Sequence, residues 1–129
     1  MKRTFLLAPF LFVAMAQAGP YDQPYGIVAP DTLRSADPLV RRVIVNRVDG
    51  ENSVRREHVV APGLRAVTLD LPPRKGFHQA TQVTFDLEVK PCTRYYVAAR
   101  LETEVTQGWA PIVRSEEAIG ECKAKFKVG

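Results

Sequence analysis

The chain has 129 residues, 46% of them hydrophobic, 25% charged and 9% aromatic, the balance of an ordinary folded domain. That length excludes a (β/α)₈ barrel or a full doubly wound dinucleotide-binding enzyme, both of which need far more chain to close their sheets. The net charge of +4 comes from basic residues mostly interleaved with acids, which argues against nucleic acid as a partner.

Lys2 and Arg3 open the chain, Phe5 to Ala16 is an apolar run, and Ala16-Gln17-Ala18 has the A-x-A form of a cleavage site. Residues 1–18 therefore read as a signal peptide cut between Ala18 and Gly19. The run falls short of the ~20 apolar residues a transmembrane anchor needs. Gly19 also stands where a lipoprotein would carry its lipid-accepting Cys. The expectation is an exported protein, periplasmic or extracellular, with no transmembrane anchor. Cleavage would take Lys2 and Arg3 with it and halve the net positive charge.

Residues 19–38 contain Pro20, Pro24, Pro30 and Pro38 beside Tyr21, Tyr25 and Gly26, and show neither a helical nor a strand period. This segment reads as an arm or linker. It is either disordered or lays Tyr21, Tyr25, Ile27 and Val28 over the domain that occupies residues 39–129.

Seven strands are predicted in that domain. Val40 to Val48 is rich in β-branched residues, Asp49-Gly50 is a hairpin turn, and Val54 to Val60 returns beside it. Pro62-Gly63 turns the chain into Leu64 to Leu71, which places Val67, Leu69 and Leu71 on one face. Thr81 to Val89 alternates most clearly, with Val83, Phe85, Leu87 and Val89 on one side and polar residues on the other. Arg94 to Leu101 sets Tyr95, Val97, Ala99 and Leu101 on a common face. Trp109 to Val113 is the sixth strand, Ser115 to Ile119 has the length for one helical turn, and Cys122 to Val128 is the seventh, its apolar residues alternating with Lys123, Lys125 and Lys127. Short strands at about ten-residue spacing imply an all-β fold, a single antiparallel β-sandwich of about seven strands.

Two cysteines in an exported chain of this size imply a disulfide, Cys92–Cys122, since the destination is oxidising. A thiolate metal site or a redox pair is less consistent with their spacing, because there is no C-x-x-C.

The run Val89-Lys90-Pro91-Cys92-Thr93-Arg94-Tyr95 resembles the tyrosine corner of immunoglobulin-like and fibronectin type III sandwiches, hydrophobic-x-Pro-x-Thr-x-Tyr. Val43-Ile44-Val45-Asn46, Asp49-Gly50 and Ala61-Pro62-Gly63 are similar to small exported PEGA-type β-domains. The resemblance covers roughly residues 43–101. It implies an immunoglobulin or fibronectin III-like fold in which the Tyr95 hydroxyl bonds back to the backbone. Arg47, where a small residue is more usual, and Cys92, where Gly commonly fills the turn, depart from the pattern.

Signs of catalysis are sparse. His58 and His78 lack metal-ligand spacing and read as surface residues on a strand and a loop. Glu102 with Glu104, and Glu116 with Glu117, have the residue type for acid–base work, but solvated faces account for them equally well. No catalytic residue, metal or cofactor is expected. Trp109 reads as core packed near the disulfide or, at a loop tip, as an aromatic anchor for a partner. Arg41, Arg42, Arg55 and Arg56 flank the first hairpin and form a candidate anion or partner patch, because a planar guanidinium suits carboxylate or phosphate. The competing reading is a solvated face neutralised by Asp49, Glu51 and Glu57. The sequence thus points to a non-catalytic exported interaction module whose partner is another exported or envelope protein. An inhibitor or accessory subunit is the alternative, and a small exported hydrolase the third reading.

Overall fold

The computed structural model describes residues 19–32, 34–73, 81–105 and 108–128. The leader with Ala18, and His78, lie outside the described residues.

Among the described residues nine strands form two sheets, followed by one helix. The first sheet is centred on β8 (Thr93–Leu101). Along one edge β8 pairs antiparallel over its full length with β9 (Trp109–Ala118). Its other edge is shared by β1 (Gly26–Pro30), which runs parallel to it, and β2 (Val40–Arg41), which runs antiparallel. Outside β1 lies β5 (His58–Val60). The second sheet is antiparallel, in the order β4 (Glu51–Asn52), β3 (Ile44–Val48), β6 (Gly63–Leu71), β7 (Thr81–Val89).

The alternation seen in the sequence builds a core shared by the two sheets. Val67, Leu69 and Leu71 of β6 and Leu87 and Val89 of β7 cluster with Tyr95, Val97, Ala99 and Leu101 of β8, joined by Val28 and Val45. Around β1 the opposite face of the first sheet is covered as well. Ile27 and Ala29 form a second cluster with Tyr25, Ile119 and the two cysteines, against which Tyr96 and Phe126 pack. The helix α1 (Gly120–Phe126) supplies much of that cover.

Several expectations are corrected. The Pro-rich arm contains a sheet strand, β1, whose residues Gly26 to Ala29 are all buried because both of their faces are covered. Gly26 sits where a Cβ would collide with the Val89 side chain, so the close approach of that side chain to the β1 backbone requires glycine. The run Val40 to Val48 is two strands in different sheets, broken at Arg42 and buried Val43. The Asp49-Gly50 hairpin forms, with both residues at positive φ as its two-residue turn requires, but only Glu51–Asn52 returns along β3. The chain then crosses to the other sheet, where His58 to Val60 pairs with β1.

The strand from Trp109 runs on through Ala118, so Ser115 to Ala118 is extended rather than a helical turn. Its register shifts opposite Tyr96 and Val97, where Arg114 is the extra residue. The predicted last strand, Cys122 to Val128, is mostly helix. Ile119, Cys122 and Phe126 fall on one helical face and dock on the first sheet, a period that outweighs the lysine alternation.

Candidate functional site

At one end of the first sheet, Cys92 and Cys122 form a disulfide with a Cα–Cα separation of 5.3 Å. Cys92 has φ +52°, the conformation that glycine usually supplies at such a turn. Its N–H donates to Tyr25 O (2.7 Å) and its carbonyl accepts from Ile119 N–H (2.9 Å), so one residue ties the start of β1 to the approach of the helix. Tyr95 is buried, and its hydroxyl oxygen accepts the Lys90 N–H at 2.8 Å. That bond spans the corner where the chain passes from the second sheet to the first. Both features organise the fold and leave no reactive group exposed.

Trp109 is buried in the shared core, and its indole N–H donates to Thr81 Oγ1 at 2.7 Å. It pairs with Leu101, at the end of β8 away from the disulfide. It therefore serves neither as an exposed anchor nor as packing for the disulfide. His58 is also buried rather than on the surface, with Nε2 donating to Val45 O at 2.9 Å, a bond that links the two sheets. Of the acidic pairs, Glu116 meets Lys90 and Glu117 accepts the Tyr96 hydroxyl. Among the described residues no group of three or more His, Cys, Asp or Glu side chains could hold a metal ion. No helix among them is long and apolar enough to cross a membrane.

Apart from half-buried Arg47, the arginines among the described residues divide into two sets. Arg65, Arg94, Arg100 and Arg114 pair with Asp49, Glu57, Asp37 and Asp31. Asp49 and Glu57 are engaged by Arg65 and Arg94, so of the acids expected to neutralise the hairpin face Asp49 does so for Arg65, which lies beside that hairpin. Arg34, Arg41, Arg42, Arg55 and Arg56 are exposed and make no ion pair among the described residues. Arg34, Arg41 and Arg42 line one concavity of about 410 Å³. Arg42 also lines a second, of about 430 Å³, opposite Arg56. Arg56 continues into a third with Arg55, Asn46 and Asp70.

The four predicted arginines therefore border adjoining clefts, brought together by the break after β2 and by the loop between β4 and β5. Sequence reasoning missed Arg34, because it lies in the segment read as an arm. It also missed Asp31, which is buried and accepts from Arg114 Nε at 3.1 Å. The signal available was a short apolar run, Ile27 to Ala29, ending at Pro30-Asp31.

A comparison with protein-family models finds none that matches this chain, and no curated protein or solved structure matches it either.

Proposed function

We propose that this chain is an exported, non-catalytic interaction module of the immunoglobulin or fibronectin III-like class that recognises an anionic surface on another exported or envelope protein. The observation that carries this reading is the unequal pairing of its arginines: five exposed guanidinium groups without a carboxylate partner among the described residues border connected clefts. Export is supported by the leader pattern at residues 1–18 and by the disulfide, which suits an oxidising compartment. The corner bond from Lys90 N–H to Tyr95 supports the sandwich class. An inhibitor would use the Pro-rich arm or a loop, and the pairing of β1 inside the sheet takes much of the arm away from such a role.

The test is capture of partners from the exported fraction by the mature protein, whose intact mass should correspond to a chain starting at Gly19. Reversing Arg42 and Arg56 to Glu should weaken capture by about tenfold or more, equivalent to about 1.4 kcal/mol or above. Raising salt should weaken it too, because exposed charges are screened beyond about 8 to 10 Å at physiological ionic strength. Lys127→Glu, at the C-terminal cap of α1, should leave capture unchanged. Equal loss in both variants would reduce the effect to net charge and defeat the proposal.

A further inference from the structure

We infer that the cleft between Arg42 and Arg56 binds the C-terminal carboxylate of a partner protein whose last residue is apolar. This rests on the interaction reading above and gives it a ligand chemistry.

The cleft combines an apolar surface with a cationic one. Its walls include Pro30, Ile44 and Pro72, and its cations are Arg42 and Arg56. Ile44 is 57% exposed although it is β-branched and lies within a strand, so its side chain adds little to the core. Arg42 donates from Nη2 to the Thr32 carbonyl at 3.1 Å, which steadies the guanidinium and leaves its other donors available. The carboxylate in the lining, Asp31, is held by Arg114 at 3.1 Å. The pocket thus presents positive charge beside apolar walls.

Those two properties select the ligand. A guanidinium fork matches a planar carboxylate in a bidentate arrangement. Apolar walls beside it favour a hydrocarbon side chain within a few ångströms of the anion, as the last residue of a protein supplies. The volume of about 430 Å³ suits one large side chain with its carboxylate and adjoining peptide unit. Because the cleft is open to solvent on one side, peptide amides would keep their hydration there. An acyl chain lying in the same cleft would leave much of its apolar surface wet, which disfavours a fatty acid.

The probe is a fluorescent hexapeptide ending in Leu, offered to the full mature protein as the free acid and as the C-terminal amide, with octanoate as competitor. The free acid should bind at least about tenfold more tightly than the amide. Arg56→Gln and Ile44→Asn should each weaken the acid peptide, one by removing the cation and the other by removing the wall. Lys127→Gln should not weaken it. Circular dichroism of each variant checks that the fold is retained.

Equal binding of acid and amide overturns the inference, as does no binding of either, or displacement by octanoate at concentrations as low as those of unlabelled peptide. If capture of exported partners depends on Arg42 and Arg56 while the acid and amide peptides behave alike, the interaction reading stands and the terminal-carboxylate site falls.

Discussion

The two sheets bury their strands in different ways. In the second sheet only one face meets the core: Val67, Leu69 and Leu71 point inward while Leu64, 63% exposed, lies on the solvent side. In the first sheet β1 is covered on both faces, one by the shared core and the other by α1 and the disulfide, while the outer strand β9 is exposed from Val113 to Ala118. A strand with one wet face must alternate to satisfy both environments, whereas a strand covered on both sides is free to be a short, continuous apolar run. The same chain thus contains strands written in two patterns, and the added cover is what makes the second pattern stable.

Removing that cover is the strongest way to break the contrast. Replacing Cys92 and Cys122 together by Ala should lower stability by about 3 to 4 kcal/mol, the chain-entropy value for a loop of 30 residues. Urea unfolding of the oxidised mature protein against the double variant measures this. The loss should be accompanied by faster hydrogen exchange in β1. Unchanged exchange there would mean that the helix holds the outer face without its staple.

The corner joining the sheets gives a smaller effect. Tyr95→Phe keeps the buried ring but removes the oxygen that accepts the Lys90 N–H, so a loss of about 1 kcal/mol is expected in the same unfolding assay. A loss near zero would show that water replaces the hydroxyl and that the corner contributes through packing alone.

The smallest effect belongs to the solvated hairpin of the second sheet. Asp49 accepts the Ala66 N–H at 2.8 Å and pairs with Arg65 at 3.1 Å, and these bonds, the backbone one first, hold its carboxyl below its ordinary value of 3.8. A folded value lower than the unfolded one means that its contribution is present above pH 3.8 and is lost as pH falls through the folded value. The stability advantage of the native protein over Asp49→Asn should therefore shrink below pH 3.8. An advantage that stays constant with pH would assign the role to shape rather than charge.

This division also explains what could be read in advance. Thr81 to Val89 and Leu64 to Leu71 were legible because alternation, water on one side and core on the other leave a mark at every second residue. Ile27 to Ala29 left no such mark, and Pro24 and Pro30 made the segment resemble a linker, although those prolines flank or end the strand rather than interrupt it. Cys122 to Val128 satisfied two periods at once; Cys122 and Phe126, four residues apart, dock as a helix whose favourable Ala, Glu and Lys content the alternation concealed. The arginine residues of the candidate site were visible individually. Their grouping was not, because it depends on Arg41 and Ile44 entering different sheets, an outcome set by non-local pairing.

The placing of β1 has a consequence for the order of assembly. Ile27 lies beside Arg94, so about 67 residues must be available before the strand can find its parallel neighbour, and such distant pairings slow folding through the entropy of loop closure. The second sheet, built from neighbouring hairpins, can form first. Its cross-chain bond from His58 to Val45 then connects it to β5, the antiparallel neighbour of β1. The first strand of the described residues is thus expected to arrive late, between β5 and β8, and pulse-labelled hydrogen exchange during refolding should show β1 protected after β6 and β7. A nascent protein emerging amino end first must therefore keep this apolar segment from straying until nearly the whole domain has followed it.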